Sequence, residues 1–214
     1  MTAGEAMRAA LGDMYQQSWR MFLLNAALST FVISIAVAGL WIPLVWLLLL
    51  GAGPLAAALM HCAVVVTRTE ELRFADAATG LRRHWRRGLV LAAVVGVATF
   101  LAVHAISFYA GRGVLVLAVV AAYLLFAFAV FQLLLWPLAV VETDRPFGRV
   151  AADAARALLA RPVQALVLGV ALVAVNLVGI AAAALPFLTL TIAYTFLASA
   201  RFALPPDSSL EAHD

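Results

Sequence analysis

The sequence predicts an all-α protein, a polytopic bundle of transmembrane helices with about six spans. Of its 214 residues, 66% are hydrophobic and only 12% are charged, and the mean hydropathy is +1.05. An ordinary soluble domain has roughly 45–50% apolar and about 25% charged residues. A chain this apolar cannot cover its surface with polar groups, so lipid is the solvent that suits it.

The first 20 residues carry a weak helical stripe and predict a short interfacial segment, separate from the membrane domain at residues 21–201. The stripe consists of Met7, Leu11, Met14 and Ser18. A frayed terminus is the open alternative. No further charge occurs until Arg68.

The uncharged run over residues 21–67 is too long for one span, because as a helix it would measure roughly 70 Å against a hydrocarbon core of about 30 Å. It predicts two spans, at residues 21–40 and 43–67, with an interfacial turn near Pro43 between two tryptophans. Glycines and Pro54 predict a kink or break inside the second span. A rival reading places the turn at residues 51–54, after one long tilted helix.

Two polar segments, residues 68–87 and 142–162, predict amphipathic cytoplasmic helices. Apolar residues recur in each at spacings of three and four, which puts them on one helix face. The first stripe consists of Phe74, Ala78, Leu81 and Trp85, and the second of Phe147, Val150, Ala154 and Leu158. Such helices lie on a membrane surface or against the ends of other helices.

The remaining uncharged runs supply the other spans. Residues 88–110 and 114–141 are joined by a short turn around Arg112. The last run is long for one span and short for two, and Pro186 divides it. We expect spans at 163–184 and 186–201, and five spans in total if this run crosses only once. The final residues, 202–214, predict a disordered tail.

Arginine positions predict the orientation. All fourteen basic residues are arginine, and with six spans thirteen lie on the side of the two polar segments, leaving only Arg112 opposite. The positive-inside rule makes that side cytoplasmic, so the N-terminus is expected in the cytoplasm.

A weak parallel repeat relates the two halves. Residues 75–78 read Ala-Asp-Ala-Ala with a leucine at position 81, and residues 152–155 read the same with a leucine at position 158. Each copy lies between two spans. Carriers often contain internal repeats, but so do membrane proteins that transport nothing.

Motifs for catalysis are missing from the sequence, so we expect no enzyme and no cofactor. There is no lysine and hence no Walker loop, no His-Glu-x-x-His metal motif and no Gly-x-Ser-x-Gly elbow. No metal site is expected, and one cysteine, Cys62, allows no intramolecular disulfide. No carboxylate falls inside an expected span, which disfavours a proton-coupled carrier.

Four polar residues at membrane depth form a candidate intramembrane site: Asn25, His61, Gln132 and Asn176. Hydrogen bonding between helices is the default role for such residues. A small transporter would instead use them to line a polar cavity near the membrane midplane.

Basic residues in the polar segments are the candidate contacts for a partner or for anionic lipid headgroups. They are Arg82, Arg83, Trp85, Arg86, Arg87, Arg149 and Arg156. No nucleic-acid motif accompanies them, so lipid is the expected partner, with a transporter component as a further one. The oligomeric state is left open.

Several short motifs form a recognisable set: Asn25, the stretch Gly-Pro-Leu-Ala-Ala-Ala-Leu at 53–59, the segment 74–85, Trp136-Pro137-Leu138 and residues 155–162. Together they resemble the YesL-like family of bacterial integral membrane proteins. The chain has about a dozen more apolar residues between Asn25 and Gly53 than that family pattern. The function of the family is unknown.

The resemblance implies a protein of the bacterial cytoplasmic membrane, often encoded beside carbohydrate ABC uptake systems. The absence of lysine among the basic residues and the high alanine content agree with a GC-rich bacterial source. We therefore expect a non-enzymatic accessory or scaffold protein of the inner membrane, associated with such an uptake system. The alternative is a small membrane transporter or channel with a site at the repeat interface.

Overall fold

A computed structural model describes residues 1–69, 71–181 and 185–204, and these residues form helices joined by short connections, with no strand among them. In chain order the elements are α1 (Ala3–Gly39), a 3-10 helix (Pro43–Gly51), α2 (Ala52–Thr69), α3 (Phe74–Gly111), α4 (Leu115–Val141), α5 (Phe147–Ala160), α6 (Pro162–Ala181) and α7 (Leu185–Ala203). The prediction of an all-α bundle is confirmed.

Five helical segments of the described residues are long and apolar enough to cross a membrane, which makes this a multi-pass membrane protein. They are Trp19–Gly39, Leu44–Thr69, Phe74–Gly111, Leu115–Val141 and Pro162–Gly179. A shorter apolar helix, Leu190–Ala203, lies where the sixth span is expected. The last uncharged run thus contains two helices, α6 and α7.

The N-terminal segment is the start of α1 and not a separate interfacial helix. A capping box begins this helix, in which Thr2 is the N-cap and its N–H donates to Glu5 Oε2 at 2.7 Å. This bond, together with one from the Thr2 hydroxyl, lowers the pKa of the exposed Glu5 carboxyl. Ala3, Ala6 and Ala10 are fully buried at helical spacing, so small residues form the packed face.

Contacts with the C-terminal helices hold this part of α1 in place. Ala3 N–H donates to Gln164 Oε1 at 2.9 Å, and the Tyr194 hydroxyl donates to the Met7 carbonyl at 3.1 Å. Arg201 forms a two-pronged ion pair with Asp13, at 2.7 and 2.8 Å. The expected surface-lying segment is therefore a packed one, and the frayed alternative is also wrong.

A turn at residues 40–42 separates α1 from the 3-10 helix, as the two-span reading predicts. The rival turn at residues 51–54 is wrong, because the chain stays helical there. It changes from 3-10 to α geometry between Gly51 and Ala52, which is the expected irregularity within the second span. A second turn follows α3, where Gly113 has a φ of 75° that favours glycine.

Helices α2 and α3 touch through their backbones. A Cβ atom added to Gly88 would lie 2.6 Å from the Gly53 carbonyl oxygen, and one added to Gly53 would meet the Gly88 carbonyl oxygen. Only glycine permits this approach. The reciprocal contact fixes the register of the two helices.

The polar segment 68–87 is not a separate helix. From Phe74 it forms the first turns of α3, which continues without a break into the apolar run. The charged residues end before residue 88, but no proline or helix cap interrupts the backbone there. A change of solvent alone does not end a helix, because its hydrogen bonds are internal.

The second polar segment does contain a separate helix, α5, with Val150 and Ala154 buried as its stripe predicts. It ends at Arg161, whose φ of −140° and ψ of 55° leave the helical region. Arg161 leaves the helix because it precedes a proline, and a residue before proline avoids helical geometry. Pro162 then begins α6.

Helices α6 and α7 pack on each other through Asn176, which donates to Thr195 Oγ1 at 2.9 Å. Residues 182–184 between them lie outside the described part. The expected tail begins later than predicted, since Phe202 and Ala203 belong to α7. Residues 205–214 of that tail are also outside the described residues.

Candidate functional site at the arginine-rich end

The first turns of α3, the segment after α4 and the helix α5 meet at one end of the bundle, here called the arginine-rich end. Arg82, Arg83 and Arg86 are exposed on α3. None of them lies within ion-pair distance of a carboxylate among the described residues. The Arg86 guanidinium instead lies over the Trp85 ring, 5.2 Å from its centre.

The apolar stripe of this segment faces outward, which opposes packing against the ends of other helices and leaves the membrane surface as the alternative. Phe74, Leu81 and Trp85 are 49%, 37% and 46% exposed. The buried face carries Gly80 and His84 instead. Because α2 approaches α3 so closely, small residues occupy the packed face, and the large apolar residues are left on the outside.

Arg87 differs from its neighbours, because it is half-buried and bonded to the end of α4. Its guanidinium donates to the carbonyl oxygens of Ala139 at 2.9 Å, Glu142 at 2.8 Å and Thr143 at 2.6 Å, and also to that of Arg145. Ala139 lies in the last turn of α4 and the other three residues follow it, where carbonyls lack the helical N–H partners of the interior. Arg87 therefore caps α4. It is not presented to a partner or lipid, which differs from the prediction made from the sequence.

Beside this cap, two histidines join α2 to α3. His84 Nε2 lies 3.3 Å from His61 Nδ1, and His84 Nδ1 lies 3.2 Å from the Thr143 hydroxyl. The imidazole of His84 is buried. Since the Thr143 hydroxyl also bonds the Val140 carbonyl at 2.9 Å, the chain of bonds links three helices.

Two arginines at or just before α5 are paired with carboxylates, unlike the exposed arginines of α3. Arg156 pairs with Asp153, and Arg145 lies 3.2 Å from Glu142 and 3.5 Å from Asp153. Arg149 is exposed. Among the described residues, exposed arginines without an ion pair thus occur on both helices, three on α3 and Arg149 on α5.

The four candidate intramembrane residues do not share one cavity. His61 belongs to the histidine pair, and Asn176 donates to Leu172 O and Thr195 at the side of α6. Asn25 and Gln132 are buried, and their amide atoms have no hydrogen-bond partner among the described residues. The four residues therefore do not form the single intramembrane site that the sequence predicts.

Among the described residues, two of the clefts between helices are lined almost entirely by apolar side chains. The larger, of about 390 Å³, lies between α1 and α3 over α2. The smaller, of about 290 Å³, lies between α4 and α6 and includes Asn176 at its edge.

Sequence reasoning missed three residues that shape these places. His84 was passed over within the arginine cluster, although Gly80, His84 and Gly88 recur at a spacing of four that marks a packed face. Thr143 carried no signal. Ser29, which lines the larger cleft, is a common residue in apolar helices. Among the described residues, no group of three His, Cys, Asp or Glu side chains is arranged to hold a metal ion.

No protein-family model, no curated protein and no solved structure matches the chain. The resemblance to the YesL-like family therefore stays a prediction.

Proposed function

We propose that the chain is a non-enzymatic accessory or scaffold protein of the bacterial cytoplasmic membrane, with its N-terminus and arginine-rich end in the cytoplasm. The observation that carries the proposal is the outward face of α3. This face exposes Leu81, Arg82 and Arg83, and the two arginines form no ion pair among the described residues. Exposed apolar and arginine side chains together are typical of protein interfaces.

Rigidity of this face supports a docking role. The turns that present it continue into the spanning helix, and Arg87 and His84 tie them to the end of α4. A partner that binds here loses little conformational entropy from the α3 side, because the surface is already ordered.

The partner that fits is a protein surface with carboxylates around an apolar patch, since arginine pairs with carboxylates through two parallel bonds. The resemblance makes a component of a carbohydrate uptake system the candidate. The alternative role, a small transporter or channel, gains no support from the arrangement of the four polar residues.

An affinity purification from native membranes tests the proposal. The variant Arg82→Gln/Arg83→Gln removes the charge and spares Arg87, whose loss would disturb the fold. Arg112→Gln is the matched control, because Arg112 is exposed at the opposite end.

We expect a transporter component to co-purify with the unmodified protein and the control, and to be lost from the double variant. Equal recovery of the same component with all three proteins would contradict the docking role. So would recovery of no component with any of them.

A further inference from the structure

One face of α3 connects the larger cleft with the arginine-rich end. Trp85, Leu89, Ala92 and Gly96 follow one another at spacings of four, three and four, which keeps them on one side of the helix. Ala92 and Gly96 line the cleft. Arg86 leans over Trp85 and so lies at the lower end of the same face.

The cleft exists because its α2 and α3 walls carry small residues. Ala56 and Ala92 leave space between the helices, and a Cβ atom on Gly96 would meet nothing within 4 Å. At about 390 Å³ the volume falls within the range of roughly 300–1,000 Å³ that is typical of small-molecule sites. Trp136 closes the cleft from α4.

The mouth of the cleft faces the bilayer. Ile33 on α1 and Gly96 on α3 are exposed at its walls, and both belong to segments that can span a membrane. What surrounds such residues in a membrane is hydrocarbon, so the molecule next to the mouth is a lipid chain.

One polar group in the cleft lacks a partner. Ser29 lines the cleft and is only 6% exposed, and its buried hydroxyl has no hydrogen-bond partner among the described residues. A buried hydroxyl without a partner is destabilising. An ester carbonyl of a lipid accepts such a bond, whereas a bare hydrocarbon chain does not.

We propose that this cleft binds one anionic glycerophospholipid from the leaflet next to the arginine-rich end. One acyl chain occupies the space between α1 and α3, the Ser29 hydroxyl donates to an ester carbonyl, and Arg86 binds the phosphate beside Trp85. Arg86 precedes Ala92 by six residues, or about 9 Å along the helix axis. That separation suits a phosphate and the beginning of its acyl chain. The site is independent of protein docking at Arg82 and Arg83.

Native mass spectrometry of the purified protein in dodecyl maltoside tests this site, with dioleoyl phosphatidylglycerol and dioleoyl phosphatidylcholine as the two probes. We expect one phosphatidylglycerol to be retained at concentrations where phosphatidylcholine is not. Arg86→Gln is expected to weaken retention roughly fivefold, since one arginine near an anionic surface contributes about 1 kcal/mol.

Gly96→Leu is the decisive variant, because a leucine fills the cleft without a backbone clash. Gly111→Leu is its control, as Gly111 lies on the same helix and also has open space around it. We expect Gly96→Leu to lose the retained lipid and Gly111→Leu to keep it. Unchanged retention by Gly96→Leu would overturn the cleft, as would equal retention of both lipids by the unmodified protein.

A second readout does not depend on how Gly96→Leu folds. Phosphatidylglycerol with brominated acyl chains quenches the fluorescence of a tryptophan that its chain contacts. We expect saturable quenching in the unmodified protein and a smaller quenched fraction in Trp136→Phe. Identical quenched fractions in the two proteins would overturn acyl-chain binding at Trp136.

Discussion

The two copies of the Ala-Asp-Ala-Ala motif have nearly the same local sequence and different structures. In the first copy, at residues 75–81, the motif is the beginning of the long helix α3. In the second, at residues 152–158, it lies in the short helix α5, which stops before α6. The first copy turns its large apolar side chains outward, and the second buries Val150 and Ala154.

A few residues after the motif account for the difference. At the same distance from each copy the first has Trp85 and the second has Pro162, and only proline prevents the helix from continuing. Three residues later stand Gly88 and Ala165, of which only Gly88 allows a backbone contact with α2. The motif therefore predicts a helix, while its neighbours decide the helix length and buried face.

Placing proline in the first copy is expected to have the largest effect. Trp85→Pro removes a backbone donor from the interior of α3 and forces His84 out of helical geometry, at a cost of about 3 kcal/mol or more. Thermal unfolding in detergent measures the loss. Trp85→Ala is the control that removes the indole and keeps the helix, and equal stabilities of the two variants would show that α3 is not continuous here.

The glycine contact of the first copy is expected to tolerate a methyl group less well than a different glycine contact in the second half, at Gly169. Gly88→Ala pushes a Cβ atom against the Gly53 backbone and should cost about 1–3 kcal/mol. In the second half, a Cβ on Gly169 meets a Val130 methyl group, which can move. Thermal unfolding should therefore rank Gly169→Ala as the more stable variant, and the reverse order would contradict the close α2–α3 approach.

The contributions of a capping arginine and an exposed arginine to stability can be compared at Arg87 and Arg161. The counterpart of Arg87 in the second copy is Gln164, so Arg87→Gln gives the first copy the residue of the second. Because several carbonyls at the end of α4 lose a charged donor, we expect a loss of about 1.5–3 kcal/mol. Arg161→Gln, at an exposed position, should change stability by less than about 0.5 kcal/mol. Equal losses, measured by urea unfolding in micelles, would remove the capping role.

Removing proline from the second copy is expected to have the smallest effect. Pro162→Ala lets Arg161 adopt helical geometry, so amides 163 and 164 should gain carbonyl partners and exchange their hydrogens more slowly. The stability should change by less than about 1 kcal/mol, since the substitution also frees the unfolded chain. Unchanged exchange at both amides would show that something other than Pro162 ends α5.

Apolar runs and turn residues were enough to predict most of the fold. They placed the turns at residues 40–42 and around Arg112, and they separated α6 from α7 at the proline-containing region. The sequence could not show that residues 74–87 continue into α3, because polarity predicts where a helix leaves lipid and not where it ends. It also could not show that α1 begins at Ala3 and packs on the C-terminal helices.

The candidate site was predicted only in part. Arg82, Arg83 and Arg86 are exposed as expected, but Arg87 is identical to them in sequence terms and differs only through contacts with a helix 52 residues away. The pairing of His61 with His84 likewise depends on how α2 and α3 meet. Long-range contacts of this kind follow from the packed fold and leave no local signal.

Crosslinking in living cells tests the central claim, that the outward face of α3 docks a protein, most directly. A photoreactive amino acid is placed at Leu81, which is 37% exposed beside Arg82, and separately at Val114, which is 43% exposed at the opposite end. The account predicts an adduct with a transporter component from position 81 only, and its loss in Arg82→Gln/Arg83→Gln. Adducts of equal yield from both positions, or none from position 81, would contradict it.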